Sequence, residues 1–120
     1  MRYAVAILVV GMMMGVGAWV AAQERQGNPQ RGQAIYERQC AGCHGIAGDG
    51  AGPEARTLIV PPANFHQPKH QVKTDQELFL AIADGVLFSP MHGWRGRLST
   101  QDIEDVIGYL RAMVPFLPLS

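Results

Sequence analysis

The stretch that decides the fold of this chain is Cys40-Ala41-Gly42-Cys43-His44. Two thiols at this spacing lie on one helical turn, where each can form a thioether with one vinyl group of a haem. A histidine directly after the second cysteine can become the proximal ligand of the iron. The spacing therefore predicts one covalent haem c, with Cys40 and Cys43 as its attachment residues and His44 as the proximal ligand.

The cysteine pair has other interpretations: a thioredoxin-like dithiol, a vicinal structural disulfide or half of a zinc site. A thioredoxin-like motif would need a βαβ context, which the sequence pattern does not provide. A zinc site would need two further ligands at a compatible spacing. His66 and His70 are four residues apart, but Pro68 lies between them, so we interpret them as solvated loop histidines rather than as metal ligands.

Residues 1–22 have the pattern of a signal peptide or an N-terminal membrane anchor. A short basic beginning precedes a run of 19 residues without charge, from Ala4 to Ala22. Small residues before Gln23 favour cleavage after Ala22, whereas the length of the run also suits a membrane-spanning helix. With either fate the domain, residues 23–120, is delivered outside the cytoplasm. We therefore expect a periplasmic protein, either soluble or anchored to the outer face of the inner membrane.

Charge and length narrow the class of protein further. The 120 residues include ten Lys and Arg and ten Asp and Glu, and residues 1–22 hold only one of these charged groups, a basic one. The exported domain is thus slightly acidic and has no clustered basic face, which argues against binding to nucleic acid. Its length allows one small domain, and an attached haem would supply a large apolar body around which the side chains pack.

Three helical patterns, separated by connections rich in Gly and Pro, predict an all-α fold. The first helix begins at Asn28-Pro29, an N-cap followed by proline, and runs into Cys40. The second begins with the capping box Thr74-Asp75-Gln76-Glu77 and ends at Gly85.

The third helix begins at Ser99, with Asp102 in the capping position that Glu usually takes, and ends before Pro115. The connection from Gly45 to Lys73 is longer than a compact domain ordinarily leaves without structure. We expect this connection to wrap the haem, with these apolar side chains along the haem edge: Leu58, Ile59, Val60 and Phe65.

Together these features resemble the class I cytochrome c family, specifically its small bacterial monohaem members, over residues 27–114. The residues that carry the resemblance are Gly32-x3-Tyr36-x3-Cys40-x2-Cys43-His44-Gly45, Gly48-Asp49-Gly50-x-Gly52-Pro53, Pro61-Pro62-Ala63-Asn64-Phe65, Ile82-x2-Gly85, Pro90-Met91-x2-Trp94, Leu98-Ser99 and Tyr109-Leu110-Arg111. The resemblance implies three main helices around one haem, with the first and last helices crossing closely at Gly32. We interpret Tyr36 and Tyr109 as core residues.

The resemblance also implies the remaining contacts of the iron. Met91 lies in the loop after the second helix, as the distal methionine does in similar proteins, and His92 is the alternative, which would give a lower reduction potential. A proline of the long connection, Pro61 or Pro62, is expected to offer its carbonyl group to Nδ1 of His44, and Pro62 is the better match.

The residues after Met91 are further candidates for the haem pocket. Trp94 is expected to line it, together with Arg95 and Arg97 if these contact the propionates. The two arginines could instead form a positive rim for an acidic partner, or lie in a solvated loop.

The predicted function is one-electron transfer outside the cytoplasm, with the iron cycling between Fe(II) and Fe(III), between redox partners of a respiratory or photosynthetic chain. The sequence has no convincing acid, base or nucleophile constellation, so we do not expect an enzyme. One alternative is a membrane-anchored subunit of a larger oxidoreductase complex, in membrane contact through residues 4–22. The other is a haem enzyme or gas sensor in which Met91 is labile.

Overall fold

The structure is a computed structural model that describes residues 27–118. The predicted signal or anchor segment, residues 1–22, lies outside the described residues. The elements are α1 (Pro29–Gln39), α2 (Ala41–His44), a 3₁₀-helix (Ala55–Thr57), α3 (Pro68–Gln71), α4 (Asp75–Asp84) and α5 (Thr100–Met113). Between residues 27 and 118 there is no β-strand, only two isolated bridges. This part of the chain is all-α, as the sequence predicts.

The three main helices begin where the sequence predicts, because each has a side chain that satisfies its free N–H groups. The side chain of Asn28 accepts hydrogen bonds from the backbone N–H groups of Gln30 and Arg31, at 3.0 and 3.1 Å. Thr74 and Glu77 form the reciprocal capping box of α4. Ser99 and Asp102 form that of α5.

The connection from Gly45 to Lys73 differs from the expectation, because two short helical segments divide it. The 3₁₀-helix and α3 lie within this connection, and α3 begins at Pro68. Proline suits the first position of a helix since its missing N–H would have had no partner there. Pro68 therefore starts a helical turn, and His70 lies on that turn rather than in an irregular loop.

Helices α1 and α5 cross at close range and form the centre of the fold. Gly32 makes this crossing possible, since a Cβ atom there would collide with the backbone carbonyl group of Asp105. The side chain of Tyr109 lies beside the same glycine. The predicted close crossing at Gly32 is confirmed.

A buried carboxylate joins the two helices at this crossing. The Asp105 side chain is completely buried, and its Oδ1 atom accepts hydrogen bonds from the Asn28 N–H at 2.7 Å and the Gln101 amide at 3.0 Å. Its Oδ2 atom lies 3.2 Å from Nε of Arg31, an ion pair without good hydrogen-bond geometry. The carboxylate ties the beginning of α1 to α5. The sequence does not indicate this contact, because aspartates on a helix are usually solvated.

The hydrophobic core lies between α1, α4 and α5. Its buried residues are Ile35, Tyr36, Ile82, Ala83, Trp94, Ile103, Val106, Ile107 and Leu110. Burial of such side chains contributes about 1.5–3 kcal/mol each and is the main source of stability in a small helical domain. Among the described residues, no helix is both long enough and apolar enough to span a membrane.

The chain after α4 turns back along the helix end. Gly85 adopts a positive φ of 82°, and a side chain there would meet the backbone of Met91. The N–H groups of Trp94 and Arg95 then bond to the carbonyls of Ile82 and Ala83, both at 2.9 Å. The loop that carries Met91 is therefore held to α4 by its own backbone.

Candidate haem site

The two cysteines lie at the junction of α1 and α2. Cys40 ends α1 and begins α2, and its carbonyl group accepts the His44 N–H at 2.9 Å. This bond closes one helical turn around the motif, so that Cys40, Cys43 and His44 are held on a single short element. Both thiols are partly accessible and are not joined to each other. The motif thus lies on one helical turn, as its spacing predicts.

The surroundings of both cysteines raise the pKa of the unattached thiols. Burial, with a smaller contribution from neighbouring Cys43, raises the pKa of Cys40 to about 11. Burial also raises the pKa of Cys43, and the carboxylate of Glu54, 3.6 Å from its sulfur, adds to this rise. The position of Glu54 is secured by its backbone N–H, which donates to the carbonyl of Gly42 at 2.9 Å.

The His44 ring is oriented by a backbone carbonyl, but not by the one predicted. Its Nδ1 atom lies 3.2 Å from the carbonyl oxygen of Ala63, so the expectation of Pro62 or Pro61 is wrong by one or two positions. The prediction placed the right loop and the wrong residue, because sequence spacing does not reveal which carbonyl of an irregular segment turns inward. Burial lowers the pKa of His44, although the bond to Ala63 opposes this, and the neutral ring has a nitrogen lone pair for a metal.

Two aromatic residues support the segment around His44. Phe65 stacks on its imidazole, with ring centroids 4.9 Å apart and an interplanar angle of 18°. The buried hydroxyl of Tyr36 donates a hydrogen bond of 2.7 Å to the carbonyl of Gly45, the residue directly after the histidine. Tyr36 therefore has a hydrogen-bonding role in addition to the core packing that the sequence predicts. Its contact could not be read from spacing, since it depends on how the chain turns after α2.

Met91 is half-buried and packs against the core. Its N–H donates to the Ser89 hydroxyl at 3.2 Å, and its carbonyl accepts the Val86 N–H at 2.9 Å. These bonds fix the backbone of the loop on both sides of the methionine. The neighbouring His92 is exposed, by contrast, and its ring lies 4.8 Å from that of Trp94.

The residues after Met91 have separate surroundings. Trp94 is buried in the core, and the guanidinium of Arg97 lies over its ring at 5.8 Å. Arg97 also lies 3.5 Å from Nε2 of His92. Arg95 pairs with Asp84 at 2.8 Å on the surface. The arginines thus have protein partners of their own in the solvent-exposed part of this loop.

His66 and His70 have separate surroundings in the structure. Nε2 of His66 lies 2.7 Å from the carbonyl of Ala47, and His70 lies on the separate turn α3. Within residues 27–118 no group of three potential metal-binding side chains is found.

The residues present fit a covalent haem c. The donor set consists of two thiols on one turn, a neutral imidazole and a methionine thioether on a fixed loop, which is a chemically complete set for attachment and axial ligation. The connecting loops also present apolar side chains at their surface, with Ile59, Leu87 and Phe88 at least 87% exposed. Ile59 and Phe65, both expected along the haem edge, have different surroundings. Phe65 packs against His44, whereas Ile59 projects outward.

The fold and the attachment turn define a class I monohaem c-type cytochrome, an electron-transfer protein with covalently bound haem c. Residues 27–110 match the family model described as cytochrome c oxidase, cbb3-type, subunit III, and the chain belongs to this family. No curated protein matches the sequence.

Two solved structures are similar to the described fold. One is a chain of the reducing HAO-like protein complex Kustc0457/Kustc0458 of Kuenenia stuttgartiensis, with a TM-score of 0.63 and 26% identity over 72% of this chain and 43% of that chain. The present chain thus spans less than half of that relative. The other is the KustC0563 c-type cytochrome, with a TM-score of 0.58 and 19% identity over 69% of this chain and 96% of that chain. The second likeness concerns the fold alone.

Proposed function

We propose that this cytochrome is a one-electron carrier outside the cytoplasm, with His44 and Met91 as the axial ligands of the iron. Cys40 and Cys43 are the proposed attachment residues. When bound, haem c supplies a reversible Fe(II)/Fe(III) couple, and a methionine ligand favours the ferrous state relative to a second histidine. The protein residues hold the group, fill both axial positions and limit access of water to the iron.

The arrangement around His44 is the observation that carries this proposal. A hydrogen bond between Nδ1 and the Ala63 carbonyl fixes the tautomer and leaves Nε2 as the nitrogen for iron. The same bond makes the imidazole a stronger electron donor, which is a common feature of histidines that bind metals.

The environment of Met91 supports methionine as the distal ligand rather than His92. Met91 is half-buried on a loop fixed by Ser89 and Val86, whereas His92 is exposed beside Trp94. A loop held on both sides of the ligand can keep the sixth position filled through both oxidation states. A permanently filled site favours electron transfer without substrate binding, and therefore a carrier that is not itself an enzyme.

The visible spectrum of the reduced, haem-loaded protein, recorded with and without carbon monoxide, tests this proposal. The wild type is expected to keep its low-spin bands unchanged when carbon monoxide is added. Met91→Ala should bind the gas promptly, with a shift of the Soret band, because the sixth position is then open. His92→Ala is the matched control from the adjacent position and should behave like the wild type.

Other outcomes have distinct meanings. If the His92 variant opens the site and the Met91 variant does not, the distal ligand is His92. If the wild type binds carbon monoxide promptly and completely, the sixth position is labile, and the carrier has to be replaced by a haem enzyme or gas sensor.

A second proposal concerns assembly: the domain serves as a subunit of a larger oxidoreductase complex, held at the outer face of the inner membrane by residues 4–22. Its support is the family description as an oxidase subunit and the likeness to a chain of a protein complex. N-terminal sequencing of the mature protein tests the anchor. A chain that begins at Gln23 would exclude it and leave a soluble periplasmic carrier, whereas an intact N-terminus with retention in washed membranes would support it.

A further inference from the structure

The stacked pair of His44 and Phe65 has a geometry that electron transfer by itself does not explain. Their rings are close to parallel, at 18°, with centroids 4.9 Å apart. Aromatic side chains often meet edge to face, so a nearly parallel arrangement specifies the direction of the imidazole plane as well as its position. Phe65 thus covers one face of the ring whose edge bonds to Ala63.

The hydrogen bond to Ala63 does not by itself fix the plane of the imidazole ring. At 3.2 Å it lies at the long end of the range for N–H···O bonds. A single hydrogen bond restrains one atom of the ring, Nδ1. The imidazole can still rotate about the line that joins Nδ1 to the carbonyl oxygen of Ala63. A flat ring against its face removes this rotation, because the two surfaces would separate or collide.

The position of Phe65 is itself restrained, so its ring can hold the neighbouring imidazole in one orientation. Its backbone N–H donates to the carbonyl of Gly48 at 2.8 Å. The Phe65 ring and the sulfur of Met113 both border Gly48, where an added Cβ atom would lie 3.0 Å from the ring and 2.6 Å from the sulfur. The hydroxyl of Tyr36 approaches the same glycine. The phenyl ring thus stacks on the His44 imidazole, borders Gly48 and packs against the core.

We propose that Phe65 is a positioning residue that sets the plane of the His44 imidazole. This proposal rests on the proposed role of His44 as the iron ligand. In the ferric low-spin state the direction of an axial imidazole plane determines how the unpaired electron is distributed over the haem. The phenyl ring therefore influences the electronic structure of the site without touching the iron.

The NMR spectrum of the ferric protein measures this effect, since the shifts of the haem methyl groups depend on the plane of the axial imidazole. Phe65→Leu retains an apolar side chain but removes the flat face, and we expect a changed order or spread of the methyl shifts. Phe65→Tyr retains the ring and should restore the wild-type pattern. Phe79→Leu is the matched control, because Phe79 packs on α4 against the core.

A methyl pattern in Phe65→Leu equal to that of the wild type would overturn the proposal. A pattern changed equally in the Phe79 variant would also overturn it, since the effect would then be general loosening. If Phe65→Leu yields no folded holoprotein, nuclear Overhauser contacts between the His44 and Phe65 rings in the ferrous wild type decide the matter, and their absence contradicts the stacking. Such a negative result would overturn only the role of Phe65 if the low-spin bands of the wild type stay unchanged with carbon monoxide. The proposed carrier function would then stand.

Discussion

The backbone of Gly32 lies directly against the carbonyl group of Asp105, with no room for a side chain between them. This contact sets the distance between α1 and α5. Because α1 ends at the first cysteine, the crossing also fixes where the haem-attachment turn leaves the core.

Gly32→Ala is expected to destabilise the haem-loaded protein. Alanine ordinarily stabilises a helix interior relative to glycine by about 1 kcal/mol. Here its methyl group would collide with the Asp105 carbonyl, and overpacking of this kind costs about 1–3 kcal/mol or more. We expect a net loss of about 1–2 kcal/mol in the free energy of unfolding, measured with guanidinium chloride. Gln39→Ala, an exposed change on the same helix, should remain within about 0.5 kcal/mol.

Asp105→Ala should be among the most damaging changes outside the haem site. It removes the acceptor of the Asn28 N–H and of the Gln101 amide, and leaves Arg31 without this partner. Loss of a buried hydrogen-bonded carboxylate is expected to cost about 2–4 kcal/mol. Chemical unfolding should reveal this loss, together with faster hydrogen exchange at the beginning of α1. Glu104→Ala, which removes the preceding carboxylate, should have a much smaller effect, and equal losses would contradict the role of Asp105.

Tyr36→Phe removes only the hydroxyl that donates to the Gly45 carbonyl. The carbonyl is buried, so the loss of its partner is expected to cost about 1–2 kcal/mol. Thermal unfolding of the holoprotein measures this cost. Tyr109→Phe serves as the control from the neighbouring ring, whose centroid lies 5.4 Å away. If both variants lose the same stability, the Gly45 contact has no special importance.

Alkaline pH should weaken the fold through the same tyrosine. Burial raises the pKa of Tyr36 well above its ordinary value, with a smaller contribution from neighbouring Tyr109. Because the folded pKa is above the unfolded one, the stabilisation is complete below about pH 10 and decreases as the pH rises beyond it. Unfolding free energies measured between pH 9 and pH 11 should show this decline. The decline should be smaller in Tyr36→Phe.

Acid should weaken the protein through the helix caps. Hydrogen bonds from Thr74 lower the pKa of Glu77, and those from Ser99 lower the pKa of Asp102. Their folded pKa values lie below the unfolded ones, so their contribution is complete above about pH 4–5 and is lost as the pH falls through the folded values. Ser99→Ala should reduce stability near neutral pH by about 1 kcal/mol and make the acid dependence shallower. An unchanged acid dependence would show that the cap of α5 does not contribute to it.

The local elements could be predicted because their signals are local. Asn28, Thr74 and Ser99 each cap a helix through bonds to residues two or three positions away, so the sequence contains both partners within one turn. The attachment motif has the same property, since its residues lie on one turn closed by the His44 N–H. The need for a small residue at position 32, where two helices cross, was predictable only from the resemblance to a known family.

Contacts between distant segments could not be predicted in the same way. The Ala63 carbonyl meets His44 across 19 positions, and Asp105 meets the Asn28 N–H across 77. Which carbonyl of an irregular loop turns inward depends on several backbone torsions together, and no residue type marks the outcome. The C-terminal tail is a similar case, because the Leu117 N–H donates to the carbonyl of Gln71 in a distant part of the chain.

The sequence by itself determined the helices, the attachment turn and the haem c class of this protein, because capping and a C-x-x-C-H motif act over a few bonds of chain. Only the tertiary structure decided that Ala63 orients His44, that Phe65 covers its face and that Asp105 ties α1 to α5. These contacts require segments far apart in the chain to meet at a few ångströms. Packing of the whole domain sets such distances, so no local pattern can specify them.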